Sequence, residues 1–376
     1  MDLGIYIHIP FCKRKCNYCD FFSRCDLKSA DAYTKAVTAA LFEYSKLCKG
    51  RTVSSVFIGG GTPPTVGKDN LLSITKAVFD NFSVDKDYEF TVECNPETAD
   101  GDLQKALYSS GVNRLSFGLQ SHDDEILKFI GRRHSAKDFQ NAVMTAKDIG
   151  FSHINADIMY ALPKQSKKSL EDTLDFALAL PLDHLSLYML KIEPGTVFYK
   201  TQSTLDLPSE DDVCDMYLDS IERLRKAGFY QYEISNFAKA GCECRHNLKY
   251  WRGTEYIGIG PAAHSYFDGY RFSNPKNTEE FINSPKILPK DHADCKKILI
   301  KEAEEEYIML SLRLTRGIDK HEFYRRFGID FDEKYYKKLE PFIESFHAKK
   351  TDVGYALTPK GFLISNYIIS DIIETE

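Results

Sequence analysis

Strand-like and helix-like runs alternate through the N-terminal half of this chain, and few folds accept that order. The runs at 5–9, 53–58, 88–93, 114–119, 154–159 and 184–190 are apolar, β-branched or alternating, as strands require. Between them, 31–48, 71–82, 98–110, 136–149 and 169–180 read as helices, with Thr98 or Asp100 as an N-cap for the third. Strands separated by helices of this length pair in parallel, because a parallel crossover needs a dozen or more residues. Six such units fall short of the eight that close a TIM barrel. A partial (β/α)6 barrel and a doubly wound α/β sheet both fit that count.

Further along, 228–237 is another extended stretch, and 271–290, rich in Pro, Asn, Ser and Lys, reads as a linker. The stretches 293–313, 320–327 and 333–346 are helical, and 354–357 reads as a short strand before a last helix. This is the pattern of a small helical, winged-helix-like domain. Many such domains bind DNA, but a net charge of −6 makes nucleic acid an unexpected partner. A lid or a partner surface is the expected role. A chain of 376 residues suits one large domain and a smaller one.

Cys12, Cys16 and Cys19 follow the first strand in Tyr6-Ile-His-Ile-Pro-Phe-Cys12-Lys-Arg-Lys-Cys16-Asn-Tyr-Cys19. A [4Fe–4S] cube usually takes four cysteines, so three thiolates on one loop leave one iron open to a ligand. A zinc knuckle would want a second close pair, and Cys242 and Cys244 have the wrong spacing for it. A buried structural cluster is the third reading, and Lys13, Arg14 and Lys15 between the thiols argue against it. Ten cysteines in a chain of this length point to reduced thiols plus a metal site. No signal-peptide pattern is visible, and the apolar stretch at 362–373 is broken by Ser365, Asn366, Ser370 and Asp371. A cytoplasmic location is therefore expected, with a peripheral membrane contact left open.

In parallel α/β barrels the C-terminal strand ends gather the reactive groups. Gly59-Gly60-Gly61-Thr62-Pro63 follows the second strand, and glycines let backbone amides approach a zwitterionic ligand. Glu93 ends the third strand as a carboxylate in an apolar setting, suited to a ligand hydroxyl or ammonium. Gln120 ends the fourth strand and can donate and accept hydrogen bonds. Asp157 sits within the fifth, and Arg132 is placed to pair with a carboxylate, with Arg133 as the alternative. Arg245-His246-Asn247-Leu-Lys-Tyr250-Trp251 combines an imidazole with flat apolar rings and contains the chain's single tryptophan.

The cluster loop resembles that of the radical S-adenosylmethionine (SAM) superfamily, and within it the coproporphyrinogen-oxidase-like branch that includes haem chaperones. The resemblance covers almost the whole chain. It implies a partial (β/α)6 TIM-like barrel at 1–230, an extension at 231–290 and a coproporphyrinogen-oxidase-like helical domain at 291–376. It also implies a [4Fe–4S] cluster on Cys12, Cys16 and Cys19, whose open iron chelates SAM. Tyr6, Tyr18, Gly60, Gly61, Thr62, Glu93, Gln120, Arg132 and Asp157 match positions that surround SAM. His-Asn-Leu-Lys-Tyr-Trp matches the HNxxYW segment of the chaperones, which makes His246 the candidate haem ligand, with a cysteine thiolate as the alternative. His264 matches a loop in which Ala262 stands in place of an expected glycine. Oxygen-independent coproporphyrinogen oxidases carry CxxxCxxCxC; here the fourth position is Phe21, and Cys25 lies too far on. The resemblance therefore implies haem binding and transfer to acceptor proteins, with radical decarboxylation of coproporphyrinogen III, or radical chemistry on another substrate, as the rival enzymatic readings. Lys13, Arg14 and Lys15 form a basic rim suited to an acidic, low-potential electron donor of the flavodoxin or ferredoxin kind.

Overall fold

The structure, a computed structural model, describes residues 2–373. Strands β1 (Asp2–Ile9), β2 (Thr52–Gly60), β3 (Val84–Cys94), β4 (Arg114–Gln120), β5 (His153–Tyr160) and β6 (His184–Met189) pair in chain order, all parallel. The helices Ala30–Leu47, Lys68–Asn81, Gly101–Ser109, Ala136–Ile149 and Lys167–Leu178 connect them, so the expected alternation is built. Asp100 is the N-cap of the third, its carboxylate accepting from the Leu103 amide at 2.8 Å.

Side chains alternate across each strand. In β1, Leu3, Ile5, Ile7 and Ile9 are fully buried in the main apolar core, while Tyr6 and His8 point the other way. That second face is polar. Asn155 on β5 donates to Ser116 on β4 at 2.8 Å and to Ser186 on β6 at 3.2 Å. The sheet curves so that this polar face becomes a lumen: the ends of β2 to β6 and the loop after β1 all line one cavity. At the other end, the seven-residue helix Arg245–Trp251 bonds to β1, β2 and β3 together. A flat, doubly wound sheet permits neither arrangement, so the partial barrel is the architecture.

The sheet continues past both flanks. Asn236–Ala238 and then Tyr230–Gln231 extend it antiparallel beyond β6. On the other side Tyr256–Ile259 lies parallel to β1, followed by the hairpin His264–Phe267 and Tyr270–Ser273. The expected linker at 271–290 is corrected here. Tyr270–Ser273 is a strand and Thr278–Asn283 a helix, because Phe272 and Phe281 are buried and Phe281 packs on Tyr33. The helix expected at 293–313 is shorter, Ile300–Ser311, and the helix Glu210–Lys226 was not foreseen.

The C-terminal domain stacks Ile300–Ser311, Lys320–Phe327, Phe331–Glu344 and Ser365–Ile373 against a three-stranded antiparallel wing made of Ile318–Asp319, Ala348–Lys350 and Gly354–Leu357. Backbone bonds fasten it to the barrel, from Ile234 N to Arg313 O at 2.9 Å and from Thr315 N to Tyr232 O at 3.1 Å. Among the described residues, no helix is long and apolar enough to cross a membrane.

Candidate functional site

The cluster loop is fixed from both sides. Cys12 N bonds to Arg24 O at 2.9 Å and Arg24 N to Pro10 O at 2.8 Å, closing the loop on itself. Mid-loop, Asn17 is tied to the end of the helix Asp124–Phe129: its amide bonds Ile130 O at 3.0 Å and its side chain donates to Phe129 O at 2.8 Å. His8 Nε2 lies 2.8 Å from Phe22 O at the loop's exit. Cys12, Cys16 and Cys19 are thereby turned towards one cavity of about 410 Å³.

The glycine run brings β2 against this loop. Gly60 has φ +110°, and a Cβ there would lie 2.5 Å from the His8 ring. A Cβ on Gly61 would lie 2.5 Å from Phe11 O and 3.0 Å from Cys12 Sγ, so only glycine allows the approach. Thr62 Oγ1 follows at 3.6 Å from Cys12 Sγ.

Tyr18, Gly60, Gly61, Thr62, Glu93, Gln120, Arg132 and Asp157 all line the same cavity as the three cysteines. Glu93 accepts one hydrogen bond, from the Gly60 amide at 3.0 Å. Burial pushes its carboxyl up to about 8, and Asp157 adds to the shift. Asp157 accepts from Asn155 at 2.8 Å and Ser116 at 3.3 Å, and burial holds its pKa above the ordinary carboxylate value. Arg132 Nη2 donates to Asn95 Oδ1 at 2.8 Å and Gly118 O at 2.9 Å. Arg133 is exposed, so Arg132 is the inward arginine of the pair. Gln120 adopts φ +65°, a strained conformation for a non-glycine residue, which aims its amide into the cavity.

Tyr6 stands apart from this group. Its hydroxyl meets His8 Nδ1 at 3.0 Å and its ring packs near Phe57 and His246, beneath the cavity rather than on its wall. His246 is corrected more sharply. It is 1% exposed, with Nδ1 2.9 Å from Ser55 Oγ and Nε2 2.9 Å from Tyr250 OH. Burial lowers its pKa to about 3. With both ring nitrogens engaged and the ring stacked on Phe57, it braces the closed end of the barrel and presents no nitrogen to a haem iron. His264 is exposed at a strand start, and Ala262 takes φ +62°, so the tight turn is kept without its glycine.

Sequence reasoning missed Asn95, which joins Arg132 to Thr62, donating to Thr62 Oγ1 at 3.1 Å. It also missed Ser116, Tyr188, Met189 and Lys191 on the wall. The strand-end rule applied to β6 would have found Tyr188 and Met189.

These residues fit a [4Fe–4S] cluster with SAM at its open iron. Three thiols line one cavity, Cys25 is exposed and off it, and the carboxylates and amide of the cavity, with the Arg132 guanidinium beside Cys16, have capacity left for a zwitterion. Cys12, Cys16 and Cys19 would hold the cluster, and Glu93, Arg132 and the Gly60–Thr62 backbone would orient the ligand's charged groups. When bound, such a pair would be able to supply one-electron cleavage of the sulfonium.

Comparison with known proteins agrees. Residues 6–177 match the model of the radical SAM superfamily, and 301–364 match that of the HemN C-terminal domain. The heme chaperone HemW of Bacillus subtilis (strain 168) is 35% identical, over 96% of this chain and 97% of its own. HemW of Mycobacterium tuberculosis (strain ATCC 25618 / H37Rv) is 31% identical over 98% and 94%. Among solved structures, the coproporphyrinogen III oxidase HemN of Escherichia coli superposes with a TM-score of 0.84 at 24% identity, covering 98% of this chain and 89% of its own, a likeness of fold. The chain belongs to the HemW family, on the coproporphyrinogen-oxidase-like branch of the radical SAM superfamily.

Proposed function

We propose that this protein binds haem at the mouth of its barrel cavity and passes it to acceptor proteins, next to a SAM-ligated [4Fe–4S] cluster. The observation that carries this reading is Phe21. It stands where the decarboxylating oxidases carry their fourth cysteine, lines the cavity and is 62% exposed. Tyr188 and Met189, at 40% and 52% exposure, share that rim. A large apolar side chain held in water marks a binding surface when others cluster with it. Arg14, Lys15 and Lys191 stand around the same mouth and suit the propionate carboxylates of a planar macrocycle.

The reading extends to two partners. Acceptor proteins would take haem from this open rim. An acidic electron donor would dock on Lys13, Arg14 and Lys15, all exposed, and charge reversal at the three is expected to slow cluster reduction and flatten its salt dependence. Unchanged stopped-flow reduction would remove that docking site.

The deciding experiment reconstitutes the cluster anaerobically and runs two assays on one preparation. In the first, haem is titrated in and its transfer to an apo-haemoprotein is followed by absorbance. In the second, SAM, reductant and coproporphyrinogen III are added and the decarboxylated product is sought by mass. Haem binding and transfer without product is the expected result. Product at useful turnover would make the protein an oxidase despite Phe21.

A further inference from the structure

The barrel end opposite the cavity carries donors that neither the cluster nor haem binding uses. His153 opens β5, Asp183 directly precedes β6, and Cys242 lies in the turn leading to the Arg245–Trp251 helix. His153 Nδ1 is 2.6 Å from Asp183 Oδ2, and the Cys242 sulfur lies within 4.8 Å of both residues' ligand atoms. Imidazole, carboxylate and thiolate together form a borderline-soft set, the one zinc-class cations combine.

The backbone holds these three positions. Asp183 is 9% exposed, and its other oxygen accepts the Ile154 amide at 2.8 Å. Its carbonyl takes the Lys239 amide at 2.9 Å, and the Cys242 amide bonds Lys239 O at 3.0 Å, so the turn is pinned to the foot of β6. The Cys242 carbonyl accepts Arg114 Nη1 at 3.1 Å. That guanidinium is the cation opposing an added charge, and Glu89, 3.8 Å from it, offsets it. The His153 side chain, 34% exposed, leaves a path for solvent.

We propose that His153, Asp183 and Cys242 bind one divalent cation of the zinc class, with water in the fourth position. The ion clasps the turn before the Arg245–Trp251 helix to the feet of β5 and β6. Zinc bonds of about 2.0–2.3 Å place tetrahedral donors about 3.3–3.7 Å apart, so on binding the Cys242 turn closes by up to about 1 Å and the His153–Asp183 pair, now 2.6 Å apart, opens by about 0.7 Å. The Cys242 thiol proton leaves to solvent, and the proton shared by His153 Nδ1 and Asp183 Oδ2 is displaced by the metal through solvent, leaving neutral His153 protonated on Nε2.

The test uses the full chain with its cluster loaded, dialysed against zinc and then against zinc-free buffer, with both metals counted by plasma mass spectrometry. The expected result is about one zinc beside about four irons per chain, and a zinc-dependent rise in melting temperature. Cys242→Ser and His153→Gln each weaken zinc binding at least about tenfold and leave iron unchanged. The iron count and circular dichroism show that the variants are folded and that zinc has not taken the cluster site. Zinc below about a tenth per chain in the folded parent protein, or variants that retain zinc as well as the parent does, overturns the proposal.

Discussion

The two ends of the barrel use the same strands for opposite purposes. Glu89 and Glu93 lie four residues apart on β3, both facing the lumen. At the closed end, Glu89 accepts the amides of Arg245 and His246 at 3.0 and 2.9 Å and sits 3.8 Å from Arg114. Lys249 pairs with Asp2, and His246 spans Ser55 and Tyr250. At the open end, Glu93 has one backbone donor and a carboxyl pushed up to about 8. Most polar groups at the closed end, Arg114 Nη2 excepted, are spent on one another and hold the plug. Those at the open end keep donors and acceptors in reserve, which costs stability and marks a place for a ligand.

The contrast breaks most visibly at the thiols. Cys16→Ser is expected to drop iron from about four per chain to below about one, with circular dichroism unchanged, because the loop is held by Asn17 and Arg24 rather than by the metal. Full iron loading in that variant would remove the three-thiolate site. At the other end, His246→Ala leaves the Ser55 and Tyr250 hydroxyls unpaired and opens a void beside Phe57, a loss of about 3 kcal/mol in urea unfolding. Iron content and haem stoichiometry should hold. Haem binding that vanishes in a folded His246→Ala chain would return that residue to the haem site and erase the difference between the ends.

How much of this was legible beforehand follows the range of the interactions. The six strands and the cluster loop were readable because periodicity and the Cys12–Cys16–Cys19 spacing are local. Glu93, Gln120, Arg132 and Asp157 were readable as strand-end or motif residues. The role of His246 was not, since its partners Ser55 and Glu89 lie 191 and 157 residues away in the chain. The segment at 271–290 misled through composition: its Pro, Asn and Ser surround Phe272 and Phe281, whose burial makes the stretch part of the main fold. Asn95 escaped because its use, joining Arg132 to Thr62, exists only once β2, β3 and the segment after β4 meet.

A smaller effect should sharpen the contrast at Glu93. Its folded pKa of about 8 lies above the ordinary glutamate value of about 4.5, so the ligand-free protein loses stability as pH rises from about 4.5 through about 8. A ligand ammonium or hydroxyl that prefers the carboxylate reverses the sign. SAM binding should then tighten by up to about tenfold per pH unit between pH 6 and about 8 and level off above. Glu93→Gln should flatten that profile and weaken SAM about tenfold. Calorimetric titration across pH checks both, and an unchanged slope in Glu93→Gln would assign the proton to another group.

The smallest expected effect lies at the rim, and it separates binding from folding. Phe21 is 62% exposed, so Phe21→Ala should move unfolding stability by no more than about 0.5 kcal/mol. A planar macrocycle lying on that ring would lose about 1 kcal/mol of aromatic contact, a weakening of haem binding of about fivefold. Lys15 donates to Phe21 O at 3.0 Å, so Lys15→Ala acts on the same rim by loosening the backbone beneath the ring and removing a charge near the propionates. Because the Lys15 ammonium holds the backbone carbonyl that carries the Phe21 ring, their effects should be less than additive in a double-mutant cycle on haem affinity. Strict additivity would separate the cation from the ring, and no effect of either would move haem off this mouth, leaving the open end to SAM alone.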